Sequence, residues 1–157
     1  MTRIILVFAI AVMTPTSIAE TLTFHPFRIE VESGWVHEVE SGAATPTGFG
    51  PKISIYSPDS RSALTIRTMD APAEVSAEAL RNMTNVDPSI SLVWRDWGDY
   101  AGYQYDYSEG NTFYRTWWLA RGAEMIFVTY DSAADPNNIE MELVDRMVDS
   151  LGHLDQP

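Results

Sequence analysis

The stretch YQYDYSEGNTFYRTWWLARGAEMIFVTY, residues 103–130, decides the fold of this chain. It is rich in aromatic and β-branched residues and is broken by two glycine-containing turns, so it predicts three consecutive strands. Gly110-Asn111 is a two-residue hairpin signal with glycine in the first central position. Pairing about it sets Asp106 opposite Arg115, Tyr107 opposite Tyr114, Tyr105 opposite Thr116 and Tyr103 opposite Trp118. Arg121-Gly122 marks the next turn, which predicts Trp118 opposite Met125, Thr116 opposite Phe127 and Trp117 opposite Ile126. Side chains alternate along a strand, so each register assigns faces. One face collects Tyr103, Tyr105, Tyr107, Tyr114, Trp118, Met125 and Phe127. The other holds Gln104, Asp106, Phe113, Arg115, Trp117, Ile126, Val128 and Tyr130. Leu92 to Trp97 joins this meander through Gly98-Asp99.

After the meander, Asp135-Pro136 predicts a helix start, with an N-cap carboxylate and proline at the first helical position. Ile139, Leu143, Met147 and Leu151 recur every four residues with Val144 and Val148 beside them, one apolar stripe ended by Gly152. Before the meander, Arg28 to Glu32 alternates as a strand, and Ser33-Gly34 is expected to send Trp35 to Val39 back along it. Residues 41–51 have loop composition. Lys52 to Tyr56 and Ala63 to Met69 predict a hairpin, and Ser76 caps a short helix through Asn82. The whole predicts an α+β domain: an antiparallel β-sheet flanked by helices.

The amino end has a different character. Met1-Thr2-Arg3 is a positive start, Ile4 to Met13 is apolar, and Ser17-Ile18-Ala19 offers small residues for cleavage. Residues 1–19 thus predict a secretory signal peptide cut after Ala19, leaving residues 20–157 as a single domain in the periplasm or outside the cell. The apolar run is half of what a bilayer span needs, so no integral membrane segment is expected after cleavage. The chain contains no Cys, so the exported domain must stand on its core without disulfides. Loss of Arg3 with the leader takes the net charge from −12 to −13. Such a surface repels phosphate backbones, which argues against nucleic acid, and it favours a protein partner with a basic surface.

The order of elements resembles the PsbP-like fold, which includes the photosystem extrinsic protein and bacterial DcrB-like exported proteins. The matching stretches are Phe27 to Val31 with Gly34-Trp35, Ala63 to Ile66, Ser76 to Leu80, Gly102-Tyr103, Trp117 to Leu119, Met125 to Tyr130 and Met147 to Leu151. The resemblance implies a PsbP-like α/β sandwich and a non-enzymatic accessory, binding or chaperone-like role. It transfers no catalytic residue. The lipid-anchoring Cys common among DcrB-like members is absent.

Little in the chain points to catalysis. His25, His37 and His153 are far apart in sequence. His37-Glu38 opens like a zinc-protease motif, but Ser41 stands where the second ligand belongs. Asp131, Asp135, Asn137 and Glu140 suit helix capping better than a calcium loop. Asp96 with Asp99, or Glu30 with Glu32, could be read as a carboxylate pair, though such pairs arise by chance in an acidic chain. No catalytic residue, cofactor or metal is therefore expected. The tyrosine-rich face is expected to be core beneath the closing helix; left uncovered, it would be an aromatic contact platform. The opposite face offers Phe113, Arg115, Trp117, Tyr130 and Asp106 as a partner-binding surface. The leading expectation is a monomeric, non-enzymatic periplasmic binding or accessory protein. The alternatives are an immunity protein that neutralises a secreted toxin and a small carboxylate-dependent hydrolase.

Overall fold

The computed structural model describes residues 20–40, 50, 52–133 and 136–155. The predicted leader, Asp135 and nearly all of the predicted loop at 41–51 lie outside the described residues. In chain order the elements are β1 (Glu20–Phe24), β2 (Phe27–Val31), β3 (Val36–Glu40), β4 (Lys52–Tyr56), β5 (Ser62–Asp70) and α1 (Ala77–Met83). They continue with β6 (Trp94–Trp97), β7 (Tyr100–Glu109), β8 (Thr112–Arg121), β9 (Glu124–Ser132), α2 (Asn138–Asp149) and β10 (Gly152–His153). Among the described residues these strands form an antiparallel seven-stranded sheet in the order β3-β4-β5-β9-β8-β7-β6, and a small sheet β1-β2-β10. The fold is α+β, as expected.

The β7–β8 register matches the sequence expectation, with Asp106 opposite Arg115 and Tyr103 opposite Trp118. The β8–β9 register differs by two residues: Trp118 faces Phe127, Trp117 faces Val128 and Thr116 faces Thr129. The cause is the turn. Gly122, with φ of 60°, takes the first central position that Arg121 was expected to hold, as Gly110 and Gly98 do in their own turns at 60° and 61°. A side chain with a β-carbon resists that conformation. Because side chains repeat every two residues, a two-residue shift leaves both predicted faces intact.

What covers each face is reversed from expectation. Trp117, Leu119, Ile126, Val128 and Tyr130 continue across the sheet into Leu64, Ile66, Ile53 and Ile55, all buried. This continuous apolar surface takes the cover of α2, through Val144, Met147 and Val148, and of the small sheet, through Leu22, Phe27, Ile29 and Val31. Each fully buried aliphatic side chain there contributes about 1.5–3 kcal/mol. The tyrosine-rich face instead continues into Thr129, Thr65, Ser54, Arg67 and Lys52. Among the described residues α1 covers its end near Tyr103 and Tyr105, through Leu80 and through the Thr84 carbonyl that accepts from the Tyr105 hydroxyl, and Thr116 and Ser54 are buried within it. Over the meander alone both faces look apolar; the difference appears once β4 and β5 are added.

Other boundaries moved for local reasons. β3 does not return along β2: Gly34 (φ 85°) and buried Trp35 swing it onto the edge of the large sheet, beside β4. The cap of α2 is Asn137, whose side-chain oxygen accepts the Glu140 N–H at 2.8 Å. The buried stripe runs through Val144, Met147 and Val148, leaving Ile139 exposed and Glu140 towards the sheet, where Tyr130 donates to it at 2.8 Å and Ser62 donates as well. Gly152 is not the helix stop. The helix ends at Ser150, whose N–H reaches the Arg146 carbonyl at 3.0 Å, and Gly152 pairs with Arg28 in β10.

Candidate functional site

Of the residues expected to form a partner surface, Phe113, Trp117 and Tyr130 lie in the core that α2 covers, whereas Asp106 is exposed. Trp117 and Tyr130 are fully buried, and Phe113 packs against the same core. They cannot meet a partner, because the apolar surface they belong to is already covered by α2. Burial pushes the Tyr130 phenol up to about 12. Arg115 and Asp106 form the cross-strand ion pair at 2.7 Å, and Arg115 also donates to both Asp145 oxygens at 3.0 Å. The guanidinium therefore ties β7 and β8 to α2, and its role is structural. Arg115→Ala should cost about 2 kcal/mol in urea unfolding, since it removes charge-assisted bonds from a mostly buried fork. Arg115→Lys should recover only part, because one ammonium cannot bridge both carboxylates bidentately.

The other face is the open one. Three cross-strand rows run over it. One is Lys52, Arg67, Phe127, Trp118, Tyr103 and Trp94. The middle row is Ser54, Thr65, Thr129, Thr116 and Tyr105, a line of hydroxyls. The third is Tyr56, Ala63, Asp131, Tyr114 and Tyr107. Tyr107 stacks on Tyr114 with ring centroids 4.9 Å apart and planes 12° apart, and Tyr105 stacks beside Tyr107 at 6.1 Å. Trp94 meets Tyr103 edge-on at 5.2 Å. Tyr107 and Trp94 remain 43% and 39% exposed, large values for aromatic side chains on a sheet.

Asp131 sits in this surface, half-buried. Among the described residues no hydrogen bond or ion pair reaches its carboxylate, and burial pushes it above the ordinary carboxylate range. The folded state holds that proton more tightly than the unfolded chain, so stability falls as pH rises through the carboxylate range. Asp131→Asn removes this loss. Its Tm should exceed the wild-type value at pH 7, and the advantage should vanish below about pH 3.9, the ordinary Asp value. A lower Tm at pH 7 would show that the carboxylate has a stabilising partner.

Two other clusters of titratable groups are engaged with one another. A cleft of about 290 Å³ between β2 and α2 is lined by Glu30, Glu32, Arg146, Met147, Asp149 and Ser150. Arg146 pairs with Glu32 at 2.9 Å and Arg95 with Asp149 at 3.7 Å, while the Glu30 N–H donates to Ser150 Oγ. His153 Nδ1 lies 3.0 Å from Glu124 without a hydrogen bond between them, and the His153 backbone N–H donates to Asp99. These contacts fasten β10 to the Gly98-Asp99 turn. Among the described residues no group of three or more His, Asp or Glu side chains is placed to hold a metal ion. No helix among them is long and apolar enough to cross a membrane.

The architecture can now be set beside known structures. The solution structure of cyanobacterial PsbP (CyanoP) from Synechocystis sp. PCC 6803 matches with a TM-score of 0.61, over 93% of this chain and 98% of that one, at 13% identity. The fold is PsbP-like. A 1.50 Å crystal structure from Bacteroides thetaiotaomicron VPI-5482 matches with a TM-score of 0.58 and 17% identity, over 83% of this chain. There the chain spans 46% of the other's length. No protein-family model and no curated protein sequence matches the chain. At these identities the likeness concerns the fold, and function must be sought in the site.

Of the residues read from the sequence as a partner surface, Trp117 and Tyr130 are instead buried in the core. The signal that could have corrected that reading is the outward set of β4 and β5, Ser54, Thr65 and Arg67, which is polar where the inward set is isoleucine and leucine.

Proposed function

We propose that this is a non-enzymatic binding or accessory protein that works in the periplasm or outside the cell, and that its open tyrosine-rich sheet face meets the partner. The observation that carries this reading is the stacked Tyr105, Tyr107 and Tyr114 array, with Tyr107 exposed among the described residues, on a sheet whose opposite face packs under α2 and the small sheet. Tyrosine and tryptophan supply large, rigid contact area and can still hydrogen-bond at their polar ends, which suits them to interfaces. The PsbP-like fold is compatible with an accessory role. The amino-terminal segment supports export, and the acidic balance supports a basic partner.

A photo-crosslinking residue placed at Tyr107 or at Ile139 tests this in the producing cell. Both positions are exposed, one on the open face and one on α2. The reading expects a discrete adduct from position 107 and none from position 139. Recovery of bare monomer from both positions would overturn it.

A further inference from the structure

The geometry points to a seat for a partner's arginine side chain on the open face, formed by Asp131 between Tyr56 and Tyr114. This inference rests on the reading of that face as the working surface and names what it recognises. Along the third row the side chains are Tyr56, Ala63, Asp131 and Tyr114, on β4, β5, β9 and β8. Neighbouring strands are about 4.8 Å apart, so the two tyrosines stand about 14 Å apart as walls. Along this row the methyl group of Ala63 and the short Asp131 side chain lie between them. The result is a shallow trough with an aromatic wall at each end and a carboxylate in its floor.

The Asp131 carboxylate is not sealed from solvent, so a cation can reach it. A half-buried carboxylate ordinarily has a cation or several N–H donors, and this one has neither among the described residues. The basic residues nearby are paired or distant, and Arg61, two residues before Ala63, lies 4.0 Å from Asp59. Lys52 is held by Glu40 at 2.7 Å, and Arg67 lies opposite Phe127, four residues along β9 from Asp131. Directly beside Asp131 is Tyr114, whose ring stacks on Tyr107. A guanidinium laid on Tyr114 would place its N–H groups against the carboxylate, combining a cation–π contact with a bidentate ion pair. Arginine fits this better than lysine, because its planar fork both stacks and pairs. A second copy of this chain is a poor occupant, since two chains of net charge −12 repel. A basic segment is drawn in by the same field.

The test is an NMR titration of the full exported domain with acetyl-Gly-Arg-Gly-Arg-Gly-amide at low ionic strength. Versions carrying citrulline or lysine in place of arginine are titrated alongside. The expected result is shifted signals at Asp131, Tyr114 and Tyr107. Binding should weaken about tenfold with citrulline and by a smaller factor with lysine. Asp131→Asn should lose about tenfold while remaining folded, whereas Glu142→Gln, an exposed carboxylate on α2, should leave binding unchanged. Equal shifts at Tyr114 with the citrulline and arginine peptides would overturn the arginine seat and leave the open-face reading standing. Unchanged binding by Asp131→Asn would overturn it too, as would shifts confined to other surfaces. Failure of the open-face reading itself is read separately, by crosslinking at position 107.

Discussion

Gly98→Ala should destabilise the protein by about 3 kcal/mol or more. Two costs add. Gly98 has a φ of 61°, which an L side chain adopts at a cost of about 1–2 kcal/mol. A β-carbon there would also lie 2.0 Å from the Leu151 carbonyl oxygen, so the backbone after α2 must move, and overpacking of this kind costs about 1–3 kcal/mol. That displacement would break the bond from the Asp99 N–H to the same carbonyl, 2.8 Å long, and loosen β10. Urea unfolding measures the loss. Gly110→Ala is the matched comparison, having the same φ of 60° but nothing within 4 Å of an added β-carbon. It should lose only the conformational part. Equal losses in the two variants would mean that the turn is not docked against residues 149–151.

Trp117→Ala should cost about 3–5 kcal/mol, as expected for emptying a fully buried tryptophan site. Its ring meets Trp97 edge-on with centroids 5.8 Å apart, and both belong to the core beneath α2. The indole N–H has no hydrogen-bond partner among the described residues. Trp117→Phe should therefore be much milder than the alanine change, since it keeps an aromatic ring and removes a buried donor left unpaired. Thermal unfolding of the two variants separates packing from hydrogen bonding. A phenylalanine variant as unstable as the alanine one would show that the indole N–H is satisfied after all.

Much of this fold could be read from the chain because local signals agreed. Gly110-Asn111 set the β7–β8 register, Ser76 capped α1, and the Lys52 to Tyr56 strand paired as expected with the strand containing Ala63. The β8–β9 register was displaced because Arg121-Gly122 and Gly122-Ala123 are both plausible turn centres by composition; only the positive φ that glycine accepts at the first position separates them. The α2 start was displaced for a similar reason, with Asp135 and Asn137 both good capping residues. The candidate site was less legible. Which face of a meander is covered depends on strands far away in sequence, and here it is decided by Ile53, Ile55, Leu64 and Ile66. The trough at Asp131 arises from Tyr56, Ala63 and Tyr114 meeting across four strands, a juxtaposition with no signature along the chain.

Hydroxyl-radical footprinting of the aromatic side chains tests most directly the central claim, that the tyrosine-rich face is open and the tryptophan-containing face beneath α2 is closed. Tyr107 and Trp94 should be modified rapidly, while Trp117, Trp97 and Tyr130 should stay protected until the protein unfolds. Modification of Trp117 or Tyr130 in the folded protein, with Tyr107 protected, would contradict the account.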